Sequence, residues 1–285
     1  MSLSYKNLIE ENIQAEYQKV IQDDDFYYLY KHYSLDPEHL TLGVFNNCQL
    51  KYQYPLYFND PYDCLCSIKL DFSSFKKRDF EEFTNSKVSV SNWFKKKESY
   101  LKIANSNFNS KEYIESFRKF FAVTCFNNSP LNILMWSHYA KNHKGFMLEF
   151  RFKKITDNYI NLPLPVIYTD EYPCITVPWN LKSFINDDEL SSEFIAKQLL
   201  IKSRIWSYEH EFRQMNNAGL LKKYNPNMLS SVILGSEIED ADEKAIINSV
   251  QNFNKANCRE IKIFKTSLVE DKFELTVKGH PRLSK

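Results

Sequence analysis

Lys202-Ser203-Arg204-Ile205-Trp206-Ser207-Tyr208-Glu209-His210-Glu211-Phe212-Arg213 is the stretch on which the fold turns. It reads as the end of a helix running into a strand. From Trp206 an extended chain alternates its side chains, so Trp206, Tyr208, His210 and Phe212 face one way and Ser207, Glu209, Glu211 and Arg213 the other. The aromatic side, with His210, is expected to enter a core. The other side gathers two carboxylates and a guanidinium, either as catalytic equipment or as a solvated, internally paired polar face.

Upstream, a helix is expected from about 190 to 205, after an irregular stretch over 170–189. Phe146, Leu148, Phe150 and Phe152 alternate with Met147, Glu149 and Arg151 as a strand, with Glu149 and Arg151 read as surface residues. Ser129-Pro130 opens a helix whose face is Leu131, Met135 and Tyr139. Residues 120–126 form a compact apolar strand. Residues 72–119 turn Lys-, Glu- and Ser-rich and read as a helical insertion. Nearer the start, an amphipathic helix spans 4–22, Phe26 to Tyr30 is a strand, Asp36-Pro37 caps a helix reaching Asn46-Asn47, and Leu50, Tyr52 and Tyr54 mark a second strand. Downstream, Ser231 to Gly235 is a short buried strand, Asp240 to Val250 a helix, and two strands follow near 260–265 and 272–277. The expected class is α+β: one domain over residues 1–285 with a twisted, largely antiparallel sheet flanked by helices.

Composition removes several functions. Lys and Arg total 37 against 36 Asp and Glu, so no whole-protein field attracts nucleic acid or an anionic membrane. Apolar runs are short and the first residues lack a signal-peptide core, which points to a cytoplasmic protein without a membrane partner. Six scattered cysteines are expected to be reduced thiols, and Cys64-Leu65-Cys66 lacks zinc-finger spacing. With five glycines and neither GxGxxG nor GxxxxGK, glycine-built phosphate cradles are excluded.

Leu29-Tyr30-Lys31-His32-Tyr33-Ser34, Phe58-Asn59-Asp60-Pro61-Tyr62-Asp63, Cys125-Phe126, Met135-Trp136-Ser137-His138-Tyr139-Ala140, Lys144-Gly145-Phe146 and the segment from Lys202 to Arg213 occur in an order that resembles the bacterial domain of unknown function 2971 family. The resemblance runs from about residue 26 to 240. Members are often linked to defence loci, and the strand, helix, strand opening with a later Glu-rich strand resembles an ADP-ribosyltransferase-type fold. That likeness implies NAD as substrate, in a cleft between two halves of the sheet. Glu211 is then the carboxylate stabilising an oxocarbenium-like ribose, and Glu209 orients water or an acceptor, protein or nucleic acid. Lys31 or His32 would hold ribose or phosphates, Tyr33, Tyr52 or Tyr54 would stack on nicotinamide, and Arg213 completes the nucleotide site. The chain departs from the transferase pattern in lacking a Ser-Thr-Ser-like strand and in offering Lys31-His32 where one Arg or His is usual.

Two other readings stay open. Asp60, Asp63, Glu209 and Glu211 could surround magnesium in a nuclease, although Asp60 has a ready role capping a helix at Pro61. Lys76-Lys77-Arg78 and Lys95-Lys96-Lys97, the latter beside Trp93 and Phe94, could serve a non-catalytic sensor of nucleic acid, although solvated helix faces carry such runs too. His138 and Cys125 read as core residues.

Overall fold

The computed structural model describes residues 5–154, 162–179, 188–216 and 219–284. The helices are α1 (Tyr5–Lys19), α2 (Gly43–Asn46), α3 (Lys77–Thr84), α4 (Val90–Phe108), α5 (Lys111–Arg118), α6 (Ile133–Tyr139), α7 (Asp188–Leu199) and α8 (Asp240–Asn257). The strands are β1 (Phe26–Tyr33), β2 (Gln49–Lys51), β3 (Ser67–Asp71), β4 (Ala122–Asn127), β5 (Phe146–Lys153), β6 (Leu164–Pro165), β7 (Ile167–Thr169), β8 (Cys174–Pro178), β9 (Ile201–Ser203), β10 (Glu211–Asn216), β11 (Leu221–Lys223), β12 (Leu229–Leu234), β13 (Lys262–Leu268) and β14 (Leu275–Val277). The class is α+β. Contacts gather into two compact units, one of residues 1–11, 54–121 and 167–204, the other of 12–53, 122–166 and 205–285.

The first unit holds α3 to α5 in the stretch read as a helical insertion. Ser89 and Ser110 start α4 and α5 by accepting from the amides of Asn92 and Tyr113, each at 3.3 Å. The helices enclose an aromatic core of Phe75, Phe80, Trp93, Tyr100 and Trp179. Trp93 is thus core rather than a stacking platform, while Phe94 and Lys95 lie exposed beside it. Residues 174–178 form a strand paired in parallel with β3, where an irregular segment was expected; residues 180–187 of that stretch lie outside the described residues.

The second unit is built on a sheet in the order β14-β13-β12-β5-β1-β4-β10-β6, antiparallel throughout except for β12 with β13. Its central strands are covered on both faces, which is why Phe26 to Tyr33 and Phe146 to Lys153 are aromatic-rich without a solvated side. One face packs Tyr28, Tyr30, Met147 and Ile233 against Trp136 of α6 and Leu275, Val277 and Leu283. On the other, Phe212 meets Tyr17 of α1 at 5.2 Å, and Phe146 meets Phe45 of α2, which in turn meets Phe253 of α8. Acidic Asp240, Asp242 and Glu243 open α8, matching its dipole, and Cys258 ends it in the left-handed region at φ 52°.

Two cap readings change. Asp36 does accept from the amides of Leu40 and Thr41, but His39 at φ 54° interrupts the chain, so a 3-10 turn over Leu40–Leu42 precedes a helix of only four residues. Asp60 accepts from Tyr62 N at 2.8 Å and closes a turn, not a helix.

Candidate active site at the opening of the sheet

The decisive segment does not run as one strand. Residues 204–209 wind into a 3-10 helix, His210 takes φ 41°, and extended alternation starts only at Glu211. His210 is accordingly exposed, against its expected place in the core, and Trp206 and Tyr208 are half-buried. A run of alternating polarity is insufficient to specify a strand, because a short 3-10 turn accommodates the same residues. Glu209 is nevertheless buried, and Tyr139 of α6 donates its hydroxyl to Glu209 Oε1 at 2.5 Å.

From Glu211 the strand reading holds. Glu211 pairs in register with Asn127 of β4 and Arg213 with Cys125. Arg213 Nε lies 2.7 Å from Glu211 Oε1 and Nη2 lies 3.1 Å from Oε2, a two-pronged ion pair. Arg213 is 0% and Glu211 4% exposed, so the polar face is paired as expected but buried instead of solvated. Beside them, burial, with the charge of Glu211 adding to it, raises the Cys125 thiol well above its ordinary value, which keeps it from serving as a nucleophile.

β1 and β4 meet through one register pair, Tyr30 with Asn127. Beyond it the ladder opens, and side chains replace backbone bonds. Lys31 Nζ donates to the Cys125 carbonyl at 2.9 Å, with the Tyr33 and Phe126 rings 5.5 and 5.9 Å away. Asn127 Nδ2 bonds the Tyr30 carbonyl at 3.0 Å and lies 3.1 Å from His32 Nδ1. Among the described residues Lys31 has no carboxylate within ion-pair distance, and burial lowers its pKa. Tyr33 stacks on Phe146 at 5.2 Å, so its ring is already engaged; its hydroxyl and that of Thr124 are buried and, among the described residues, meet no hydrogen-bond partner. Tyr52 donates to Gln214 Oε1 at 2.9 Å, and Gln214 pairs across the strands with Thr124.

His32 sits under α6, edge-on to Trp136 at 5.0 Å, and burial pushes its pKa down to about 3. The neutral ring accepts from Asn127 at Nδ1 and so carries its proton on Nε2. No acceptor meets hydrogen-bond geometry there, though the Pro130 carbonyl lies near enough to favour that proton.

Glu149, read as a surface residue, is 0% exposed. It accepts from Arg282 Nε at 2.8 Å and Nη2 at 2.5 Å, from Ser231 Oγ at 2.9 Å and from Tyr30 Oη at 3.0 Å, with His280 Nε2 at 3.6 Å. Register thus strings Ser231, Glu149, Tyr30, Asn127 and Glu211 across β12, β5, β1, β4 and β10 as one buried polar row. The signal in the sequence was Met147, an apolar residue on the supposedly wet side of β5. Arg282 stands 133 positions away, beyond any local pattern.

Lys31, Tyr33, Tyr52, Glu209, Glu211, Arg213 and His32 therefore all belong to the second unit, the first three on or near the Phe126 face of the opening and Glu211 and Arg213 on the other. Tyr54 falls in the first unit, at the start of a 3-10 turn over Pro55–Tyr57. Asp63, also there, pairs with Lys202 at 3.4 Å, both buried. Among the described residues no three His, Cys, Asp or Glu side chains converge as a metal-ligand set. Two surface hollows of about 300 and 340 Å³ flank the start of α6, and neither is lined by these residues. No helix of the described residues is long and apolar enough to cross a membrane.

Six family-like motifs are thus distributed over two units, and the segment from α6 through β10 supplies Glu149, Lys202, Glu209, Glu211 and Arg213. Residues 135–214 match the family described as Protein of unknown function (DUF2971). The matched segment covers the motifs around Trp136, Gly145 and Glu211, while those at 29–34 and 58–63 lie outside it. No curated protein and no solved structure matches the chain. Within the matched segment the requirement for Gly145 is steric: a Cβ there would lie 2.1 Å from the Tyr33 carbonyl, where β5 starts beside the end of β1.

Proposed function

We propose that the opening between β1 and β4 binds NAD and that the protein breaks the bond between nicotinamide and ribose, as an ADP-ribosyltransferase or NAD glycohydrolase in bacterial defence. One observation carries this reading: a division of charge around the opening. Among the described residues Lys31 has no carboxylate within ion-pair distance, though the charge of Glu211 reaches it, and Glu211, on β10 beyond β4, is a buried carboxylate fixed by Arg213. NAD asks for both, because its diphosphate is anionic and its ribose becomes oxocarbenium-like as nicotinamide leaves. Lys31 would take the diphosphate. Glu211 would bond the adjacent ribose hydroxyl and stabilise the developing positive charge, and Arg213 holds that carboxylate in one orientation. Tyr33 offers its hydroxyl rather than its ring face, and Tyr52, tied to Gln214, limits the width of the site. Glu209, positioned by Tyr139, would orient water or the nucleophile of a protein or nucleic-acid acceptor. His32, neutral and packed against Trp136, supports the strand and leaves the phosphates to Lys31.

The test is incubation of the purified chain with NAD, alone and with candidate protein and nucleic-acid acceptors, followed by measurement of free nicotinamide. Release above the buffer rate is expected. Absence of release under every condition, with folded protein, would defeat the reading.

A further inference from the structure

Away from the opening, two arginines are fastened to one turn by neutral acceptors. Arg151 lies near the end of β5, and Arg259 follows the left-handed residue Cys258 that ends α8. Both are fastened to one asparagine. Arg151 Nε donates to the Asn227 carbonyl at 2.8 Å, Arg259 Nη1 to Asn227 Oδ1 at 2.9 Å, and Arg259 Nη2 to the Leu229 carbonyl at 3.1 Å. All these acceptors are neutral, and among the described residues neither guanidinium has a carboxylate within ion-pair distance. The Phe26 ring lies 4.8 Å from the Arg151 guanidinium carbon and fixes its plane. Arg259 Nε is buried and meets no acceptor among the described residues. The charge of Arg151 is felt at Arg259, so the two repel. A like-charge pair held by neutral groups favours an anion that reaches both guanidinium groups.

We infer that Arg151 and Arg259 form an oxyanion site that takes a phosphate-type group. The planar fork of each guanidinium matches two oxygens of such a group, and both Nη atoms of Arg151 remain to bind it beside the Arg259 edge. Asn227, on the 3-10 turn Pro226–Met228, spaces the two forks. The site shares no residue with the opening between β1 and β4, so it stands or falls separately from the activity proposed there. The group can come from a free phosphate or mononucleotide, or from a nucleic-acid backbone.

Calorimetric titration of the full chain with inorganic phosphate, AMP and a single-stranded oligonucleotide, against chloride at matched ionic strength, tests it. Saturable binding is expected, and Arg151→Met should weaken it at least tenfold. The methionine keeps the stem over Phe26 and removes the repulsion, so its thermal midpoint in chloride should equal or exceed the parent's. Equal affinity for phosphate and AMP identifies a small-anion site, whereas much tighter, salt-dependent oligonucleotide binding identifies the nucleic-acid source. No saturable binding of any probe, or binding unchanged in Arg151→Met, overturns the inference and leaves the arginines as anchors of the turn. If Arg151→Met does not fold, Arg151→Lys decides: it keeps the charge and loses the fork, and unchanged affinity there also overturns it.

Discussion

Replacing Arg282 with methionine isolates the strongest buried electrostatic arrangement in the sheet. Burial alone would raise the Glu149 carboxyl, but the hydrogen bonds and charge of Arg282, with His280, outweigh it and bring the pKa down to about 2 from an ordinary 4.5. A carboxyl so depressed contributes about 3 kcal/mol at neutral pH. Because the folded value lies below the unfolded one, that stability is fully present above pH 4.5 and is lost as the pH falls towards 2. Arg282→Met leaves Glu149 fully buried with only Ser231, Tyr30 and His280 around it, and removing one partner of such a pair costs about 3–5 kcal/mol. Glu149→Gln in the same background removes the stranded charge and should recover part of the loss. Urea unfolding of the parent, both single variants and the double variant at pH 7 and pH 3 gives the coupling directly. A coupling of about 2–3 kcal/mol at pH 7, shrinking at pH 3 as Glu149 protonates in the variant, is expected. Coupling below about 0.5 kcal/mol, or no change between the two pH values, would place Glu149 in a better-hydrated setting than its geometry implies and rule out a buried ion pair with Arg282.

Two further outcomes follow from the same unit. With its pKa down to about 3, His32 should show no imidazole titration by NMR between pH 5 and 8; its contribution to stability is complete above pH 6.5 and is lost only as the pH falls from there towards 3, so a midpoint near 6.5 would contradict its burial under Trp136. Gly145→Ala places a Cβ 2.1 Å from the Tyr33 carbonyl, and the start of β5 must move or part from β1; a loss of several kcal/mol or failure to fold is expected, and a thermal midpoint within a few degrees of the parent's would show that the approach is not so close.

What could be read from the chain alone was what nearest neighbours decide. The α+β class, the strand at Phe146 to Lys153 and the helix from Asp240 follow from pattern along the chain, the helical character of 72–119 from its Lys-, Glu- and Ser-rich composition, and the motifs around Trp136 and Glu211 point to the segment that matches the family model. The strand proposed from Trp206 failed because alternation at four positions does not distinguish an extended chain from a 3-10 turn that enters a strand through a left-handed residue, here His210. That Asp36 and Asp60 would accept from backbone amides was legible, but the structure that followed was not: a left-handed His39 interrupts the chain after Asp36, and Asp60 closes a turn that ends at Cys64, φ 56°, without a helix. Glu149 was misplaced for a different reason. Whether a strand's polar face is wet depends on what covers it, and its cover comes from residues 275–284, far along the chain. For Glu211 and Arg213 pairing was foreseeable from their two-residue spacing, whereas their burial was not, and the placement of Lys31 against the Cys125 carbonyl required the ladder between β1 and β4 to open after one pair.

The role of Glu211 is tested by nicotinamide release from NAD by the parent chain and by Glu211→Gln, with circular dichroism and thermal midpoints confirming that both are folded. Glutamine keeps the shape and a hydrogen-bonding end while removing the charge that would stabilise the ribose cation, so release by the variant should fall about 100- to 1,000-fold with little change in the concentration of NAD needed for half-maximal rate. Release by the parent that persists at the same rate in Glu211→Gln would contradict the account, and would leave the Glu211–Arg213 pair as a buried strut of the sheet.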